Sequence, residues 1–263
     1  MKNVKGLSIL PDTVDFVLSP SEYYAPVLSA QLSIDYPNEK MLSLGYPCHD
    51  VFYRDTKDEV KKLIQKKYNK IILWMPTFRK GGGVGRNDSE KEMPVGIPLI
   101  YEKENLEEIQ DFLNKNDSLL IIKIHPKQEP ETYRELSNYD NIIILDGMLA
   151  KKKNIDNYRL LKSVDALISD YSSIVYSFLL LNKPIGFVLE DINEYKLGFS
   201  VENPDEYLVG DKIYELEQFL SFIRNVVDDR DGYAVQRESL IKKLYSYNDG
   251  NSCQRIIEFM ESL

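Results

Sequence analysis

Three short runs, Ile71-Ile72-Leu73, Ile121-Ile122 and Ile142-Ile143-Ile144, are apolar at every position and leave no face for water. A strand that is apolar on both faces belongs inside a parallel sheet covered on both sides. Similar runs predict strands at 16–18, 41–44, 70–75, 119–124, 141–145, 166–169 and 185–189. Helical spacing fills the intervals at 58–67, 106–114, 158–163 and 172–181. Strand and helix in alternation predict an α/β layered domain with right-handed crossovers. The last part is helical: Leu216, Phe219, Leu220, Ile223 and Val226 make one apolar face. Two further helices are expected at 238–245 and 252–263, separated by the turn Asn248-Asp249-Gly250-Asn251. Residues 1–44 hold one short strand, a helix at 22–34 and a strand leading to Gly45. That is too little for a complete layer. The expected division is a remnant of a preceding domain at 1–44 and the main domain at 45–263.

Hydrophobic residues make up 43% of the 263 positions and charged residues 29%, enough for a core and unlike a disordered chain. The net charge of −9 argues against a non-specific nucleic-acid binder, which needs a basic face. No apolar run is long enough to span a bilayer, and the first residues lack the apolar core of a signal peptide. Cys48 and Cys253 give neither a disulfide framework nor metal-ligand spacing. A reducing cytoplasm is the default, and no metal site is expected.

The motifs gather where predicted strands end. Asp170-Tyr171-Ser172-Ser173 follows strand 166–169 and opens a helix. In open parallel sheets ligands sit outside the carboxyl ends of strands, and a helix start there aims N–H groups at an anion. Ser172 and Ser173 add hydroxyl donors, although Asp170 or Ser172 fits a simple helix cap equally well. Lys123-Ile124-His125-Pro126-Lys127 ends another strand. An imidazole there can donate to a phosphate oxygen or protonate a leaving phosphate. It also fits a strand-end cap. Trp74-Met75-Pro76-Thr77-Phe78-Arg79-Lys80 ends a third, where Arg79 has the planar fork that suits a phosphate. Beyond it Lys80-Gly81-Gly82-Gly83-Val84-Gly85-Arg86 reads as a flexible loop. Gly45-Tyr46-Pro47-Cys48-His49-Asp50 is a turn after a strand, and Asp191 follows strand 185–189, where a carboxylate can bind a ribose or cap a short helix. No Walker loop, no dinucleotide-binding glycine motif and no serine-hydrolase elbow is present.

These residues, in this order, resemble the CDP-glycerol glycerophosphotransferases, the teichoic-acid primases and polymerases, with capsule-polymer relatives. The resemblance rests on Gly45-Tyr46-Pro47 with Asp50, Pro76-Thr77-Phe78-Arg79, Lys123-Ile124-His125-Pro126, and Asp165 with Leu167 to Ser173. It continues through Lys183-Pro184-Ile185, Asp191 with Tyr195, and Asp249-Gly250-Asn251-Ser252 with Arg255. It implies a Rossmann-like parallel sheet, the donor-binding carboxyl half of a GT-B-type fold. It implies transfer of glycerol phosphate from CDP-glycerol, or a related CDP-polyol, to a lipid-linked polymer acceptor, with CMP leaving. That acceptor places the protein in the cytoplasm, peripheral on the inner face of the membrane. His125 becomes the candidate acid and leaving-phosphate contact. Asp170, Ser172, Ser173, Arg79, Pro126 and Asp191 become the donor phosphate and nucleotide contacts. Asp50, Asp249, Ser252 and Arg255 are expected near the cleft mouth. No cofactor is called for, though magnesium can accompany a pyrophosphate. Two departures stand out. Cys48 occupies a position where the family pattern has arginine, with His49 as a partial replacement. The His-Gly motif of the family's amino half, whose histidine is the expected base, has no counterpart. A separate amino-terminal half or a second copy of the chain would then complete the enzyme, and a donor-binding module inactive alone is the alternative. A GT-B glycosyltransferase using a nucleotide sugar is a third reading.

Overall fold

The computed structural model describes residues 9–79, 88–126, 139–197, 201 and 203–263. The glycine-rich loop expected at 80–86 and the candidate Lys127 lie outside them. Two strands, β1 (Val17–Leu18) and β2 (Met41–Leu42), pair in parallel around helix α1 (Ala25–Leu32). The remaining strands are β3 (Lys70–Trp74), β4 (Ser118–Lys123), β5 (Ile142–Leu145), β6 (Ala166–Ser169), β7 (Ile185–Val188) and β8 (Asp211–Ile213). They form a parallel sheet in the order β5-β4-β3-β6-β7-β8. The helices are α2 (Lys103–Lys115), α3 (Gly147–Lys152), α4 (Asn157–Lys162), α5 (Ile174–Leu179), α6 (Leu216–Val227), α7 (Ala234–Leu244) and α8 (Ser252–Glu261).

Strand alternation explains how both faces are buried. Leu73, Leu119, Ile121 and Leu167 point to one side, where they pack with Leu160, Leu161, Phe178, Leu179, Leu240 and Leu244. Ile72, Trp74, Leu120, Ile122 and Ile168 point to the other, against Leu106, Ile109, Leu113, Phe219, Phe222 and Ile223. The expected α/β fold with helices on both faces is what the chain adopts.

The strand order also fixes where a ligand can bind. Chain progression runs outward from β3 to β5 on one side, then returns to place β6 on the other side of β3. The switch between β3 and β6 opens a crevice at their carboxyl ends. The segments Met75 to Arg79 and Asp170 to Ser173 leave the sheet at that crevice.

Three local readings differ from expectation. Residues 58–67 form only a 3₁₀ turn at Val60–Lys62. Their amides are taken by side chains: Glu59 N–H donates to Ser163 Oγ at 3.0 Å and Val60 N–H to Asp58 Oδ1 at 2.9 Å. Helix α3 was not anticipated, because it begins at a glycine and makes fewer than two turns. Strand β8 was missed because Asp211 and Lys212 interrupt the apolar pattern on a sheet edge.

Candidate functional site

Arg79, in the segment that follows β3, is 1% exposed. Its Nε donates to Asp191 Oδ2 at 2.7 Å and its Nη2 to Asp191 Oδ1 at 3.2 Å. The same Nη2 lies 2.9 Å from Asp170 Oδ2. Asp170 also accepts from Thr77 N–H at 2.9 Å and from Thr77 Oγ1 at 3.0 Å. Tyr171 and Tyr195 stack 3.9 Å apart, with the guanidinium carbon 5.1 Å from each ring centre. Burial works against the Arg79 charge, but the two carboxylates outweigh it and raise its pKa further. Burial also pushes the Asp170 carboxyl up, while Arg79 and Thr77 pull it down. Each of those partners donates to it, so the ionised form fits. Asp191 feels the same opposition, and there the Arg79 hydrogen bonds win and hold it below the usual range.

This arrangement corrects three expectations. Arg79, Asp170 and Asp191 do not present their charges to a phosphate. They pair with one another in a buried ion triad of one cation and two carboxylates that clamps the ends of β3, β6 and β7. An arginine already bonded to two carboxylates, with its surface covered, has no fork to offer a ligand.

Beside the triad is a cavity of about 380 Å³. Its lining includes Thr77 and Phe78 from the segment after β3, Lys123 at the end of β4, His125 and Pro126 just beyond it, Asn157 from α4 and Ser172 from the turn after β6. His125 is half-buried, and its ring lies 5.7 Å from that of Phe78. Pro126 is exposed at the rim. Ser172 is half-buried and accepts weakly from Ile174 N–H at 3.4 Å, so it serves as a partial cap and as cavity wall. Ser173 turns the other way, into a second cavity of about 370 Å³ walled by Tyr46, Tyr158, Tyr171, Tyr176 and Tyr245. The turn Tyr171-Ser172-Ser173 therefore separates one chamber bearing lysine and histidine from one bearing tyrosines. Helix α5 behind it has six residues, and Ser173 makes no side-chain cap. Sequence reasoning missed Lys123 as a lining residue and missed the tyrosine chamber; the high tyrosine count was the available signal for the latter.

His49 does not replace the arginine charge lost at Cys48. It is buried, shares a 2.9 Å hydrogen bond between Nε2 and Ser177 Oγ, and packs among Tyr46, Phe52, Tyr158 and Tyr245. Burial lowers its pKa to about 4, so the ring is neutral at ordinary pH.

The four residues expected at a cleft mouth form a structural knot instead. Asp50, 2% exposed, accepts from Ser252 N–H and Cys253 N–H at 2.9 Å each and so caps α8. Arg255 pairs with Asp249 at 2.8 Å, donates from Nε to Leu44 O at 3.1 Å and from Nη2 to Ser252 Oγ at 3.3 Å. Gly45 has φ of +82°, and a Cβ there would stand 2.7 Å from Ser252 Oγ, so this position needs glycine. None of the four lines either cavity, because α8 uses all of them to fasten itself to the Gly45 turn. Asp50→Ala is expected to cost about 1–2 kcal/mol, the worth of a buried cap, and Asp50→Asn less. Urea unfolding midpoints of the two variants check this; an unchanged midpoint for Asp50→Ala would show that α8 does not depend on the cap.

Among the described residues no group of three or more His, Cys, Asp or Glu side chains is placed to hold a metal. No helix among them is long and apolar enough to cross a membrane.

The family model described as CDP-Glycerol:Poly(glycerophosphate) glycerophosphotransferase matches residues 3–262. The chain belongs to this family. The teichoic acid glycerol-phosphate primase of Bacillus subtilis (strain 168) is 26% identical over 263 residues, covering 99% of this chain and 61% of that protein. The teichoic acid ribitol-phosphate primase of Bacillus spizizenii is 23% identical over 275 residues, covering 95% of this chain and 62% of that one. A structure of the wall teichoic acid polymerase TagF shares the fold, with a TM-score of 0.69 at 23% identity over 94% of this chain and 58% of that chain. This glycerophosphotransferase-family chain thus spans about three-fifths of the length of such relatives.

Proposed function

We propose that this chain binds CDP-glycerol, or a related CDP-polyol, and transfers the polyol phosphate to a hydroxyl of a polyol-phosphate acceptor. The observation that carries the reading is the His125 and Ser172 cavity at the β3/β6 switch point, in a chain of this family. A nucleotide-activated polyol has an anionic centre and neutral ends. A chamber bearing lysine and histidine beside one walled by tyrosines suits those two halves. In the step, the acceptor oxygen attacks the phosphorus bearing the polyol, and the bond from that phosphorus to the bridging oxygen breaks. The acceptor loses its proton and CMP leaves with the electron pair. His125, at the cavity wall, is placed to hydrogen-bond or protonate the departing phosphate. A lipid-linked acceptor would keep the protein at a membrane surface.

One observation favours a narrower second reading. His49 is buried and bonded to Ser177, and the sequence has no third histidine to serve as base beside His125. On that reading the chain holds the donor and the base comes from another chain. Calorimetric titration with CDP-glycerol, paired with CMP release in the presence of a glycerol-phosphate primer, separates them. Binding with release supports full transfer. Binding without release supports the donor-holding role. Absence of binding, with turnover of a UDP- or GDP-sugar, would sink both.

A further inference from the structure

Burial of Arg79 leaves a charge problem in the cavity. A nucleoside diphosphate ester carries about two negative charges, and their partner has to come from elsewhere. Lys123 is the last residue of β4. It shares its side of the strand with Leu119 and Ile121, the face that packs on Leu160 and Phe178. That alternation brings its side chain up the face that also supplies Asn157 and Ser172 to the cavity wall.

Lys123 differs from every other half-buried lysine among the described residues. Lys40 donates to Val14 O at 2.7 Å, Lys62 to Glu59 at 2.6 Å, Lys91 to Glu190 at 3.1 Å and Lys183 to Lys162 O at 3.0 Å. Lys70 holds Asp229, Lys162 holds Arg54 O, and Lys212 holds Asp205. The Lys123 ammonium makes no hydrogen bond or ion pair with any described residue. It also lines the His125 cavity. The other titratable groups on that wall are His125, Asp88 and Tyr195.

We propose that Lys123 is the cation that receives the donor's phosphate, in the place the sequence pattern suggested for Arg79. The inference rests on the function proposed above but names a separate residue for it. An ammonium held half-buried without a counter-ion is costly, and an incoming anion relieves the cost. Burial lowers the Lys123 pKa, as expected for a cation without a partner. Its charge is present below that lowered pKa and lost above it, so anion affinity should fall as pH rises through it. An arginine at the position stays charged and should not show the fall.

The test uses the full chain, with Lys123→Met and Lys123→Arg variants and calorimetric titration with inorganic pyrophosphate, CDP-glycerol and cytidine. Lys123→Met keeps the stem length, and its melting curve checks folding. The expected result is a loss of about tenfold to a hundredfold in affinity for pyrophosphate and CDP-glycerol, with cytidine unchanged. Lys123→Arg should retain binding and remove the alkaline fall. If Lys123→Met binds both anions as wild type does, the inference is overturned while the proposed function stands. If pyrophosphate binding depends on Lys123 but wild type does not bind CDP-glycerol, the anion site stands and the proposed donor falls. If wild type binds neither, both fall.

Discussion

Arg79→Met is expected to destabilise the chain by about 3–5 kcal/mol, the cost of stripping the partner from buried charges. The guanidinium pairs with both Asp170 and Asp191, whose side chains are 1% and 0% exposed. Without it two carboxylates face each other out of water. For a chain of this size the loss corresponds to a fall of roughly 10 °C in melting temperature. The pH dependence gives a sharper signature. In the variant both folded-state carboxyl pKa values rise above their unfolded values. Their protonated forms then favour the folded state, so stability is recovered as pH falls and lost as pH rises. The gap from wild type should narrow from pH 8 to pH 5. Adding Asp191→Asn to Arg79→Met should restore part of the loss, because one of the stranded charges is gone. Urea unfolding at the two pH values checks all three statements. A variant within about 1 kcal/mol of wild type at pH 8 would mean the triad is not a buried charge cluster.

That triad also shows where sequence reading stops. The strands were legible because Ile71-Ile72-Leu73 and Ile142-Ile143-Ile144 admit few environments other than a covered parallel sheet. The strand ends were legible too, since prolines and polar turns follow them. What the pattern could not say is which side chains meet there. Arg79 and Asp191 are 112 positions apart and hydrogen-bonded. An arginine at a strand end serves a phosphate or a carboxylate with the same fork, and only the fold decides. The possible signal was donor count: one guanidinium has enough N–H donors to hold two aspartates at neighbouring strand ends. Asp50 misled for a related reason. Its carboxylate lies 202 positions from the Ser252 amide it caps, and helix capping across that separation leaves no local mark. Nothing in the local pattern marks Lys123 for the cavity, since a lysine ending a strand ordinarily reaches solvent. Here the cavity wall keeps it half-buried.

His125→Ala is expected to separate chemistry from folding in the opposite way to Arg79→Met. The imidazole is half-buried at an open cavity, lies tilted 5.7 Å from the Phe78 ring and fills little core volume. Its removal should lower the melting temperature by only about 2–4 °C, in line with about 1 kcal/mol. Loss of a proton donor or phosphate contact should instead cut CMP release by about a hundredfold or more. His125→Asn keeps a hydrogen-bond donor but no titrating proton. If the ring works by holding the phosphate, Asn should restore much of the CDP-glycerol affinity lost in Ala. If it works by delivering a proton, Asn should restore binding yet leave CMP release low. Comparing donor affinity with CMP release across the three proteins tells these apart. A His125→Ala protein that unfolds, with donor affinity per folded molecule unchanged, would make the imidazole a strand-end cap. The cavity would then lose its candidate acid, and Ser172 and Lys123 would have to hold the phosphate without one.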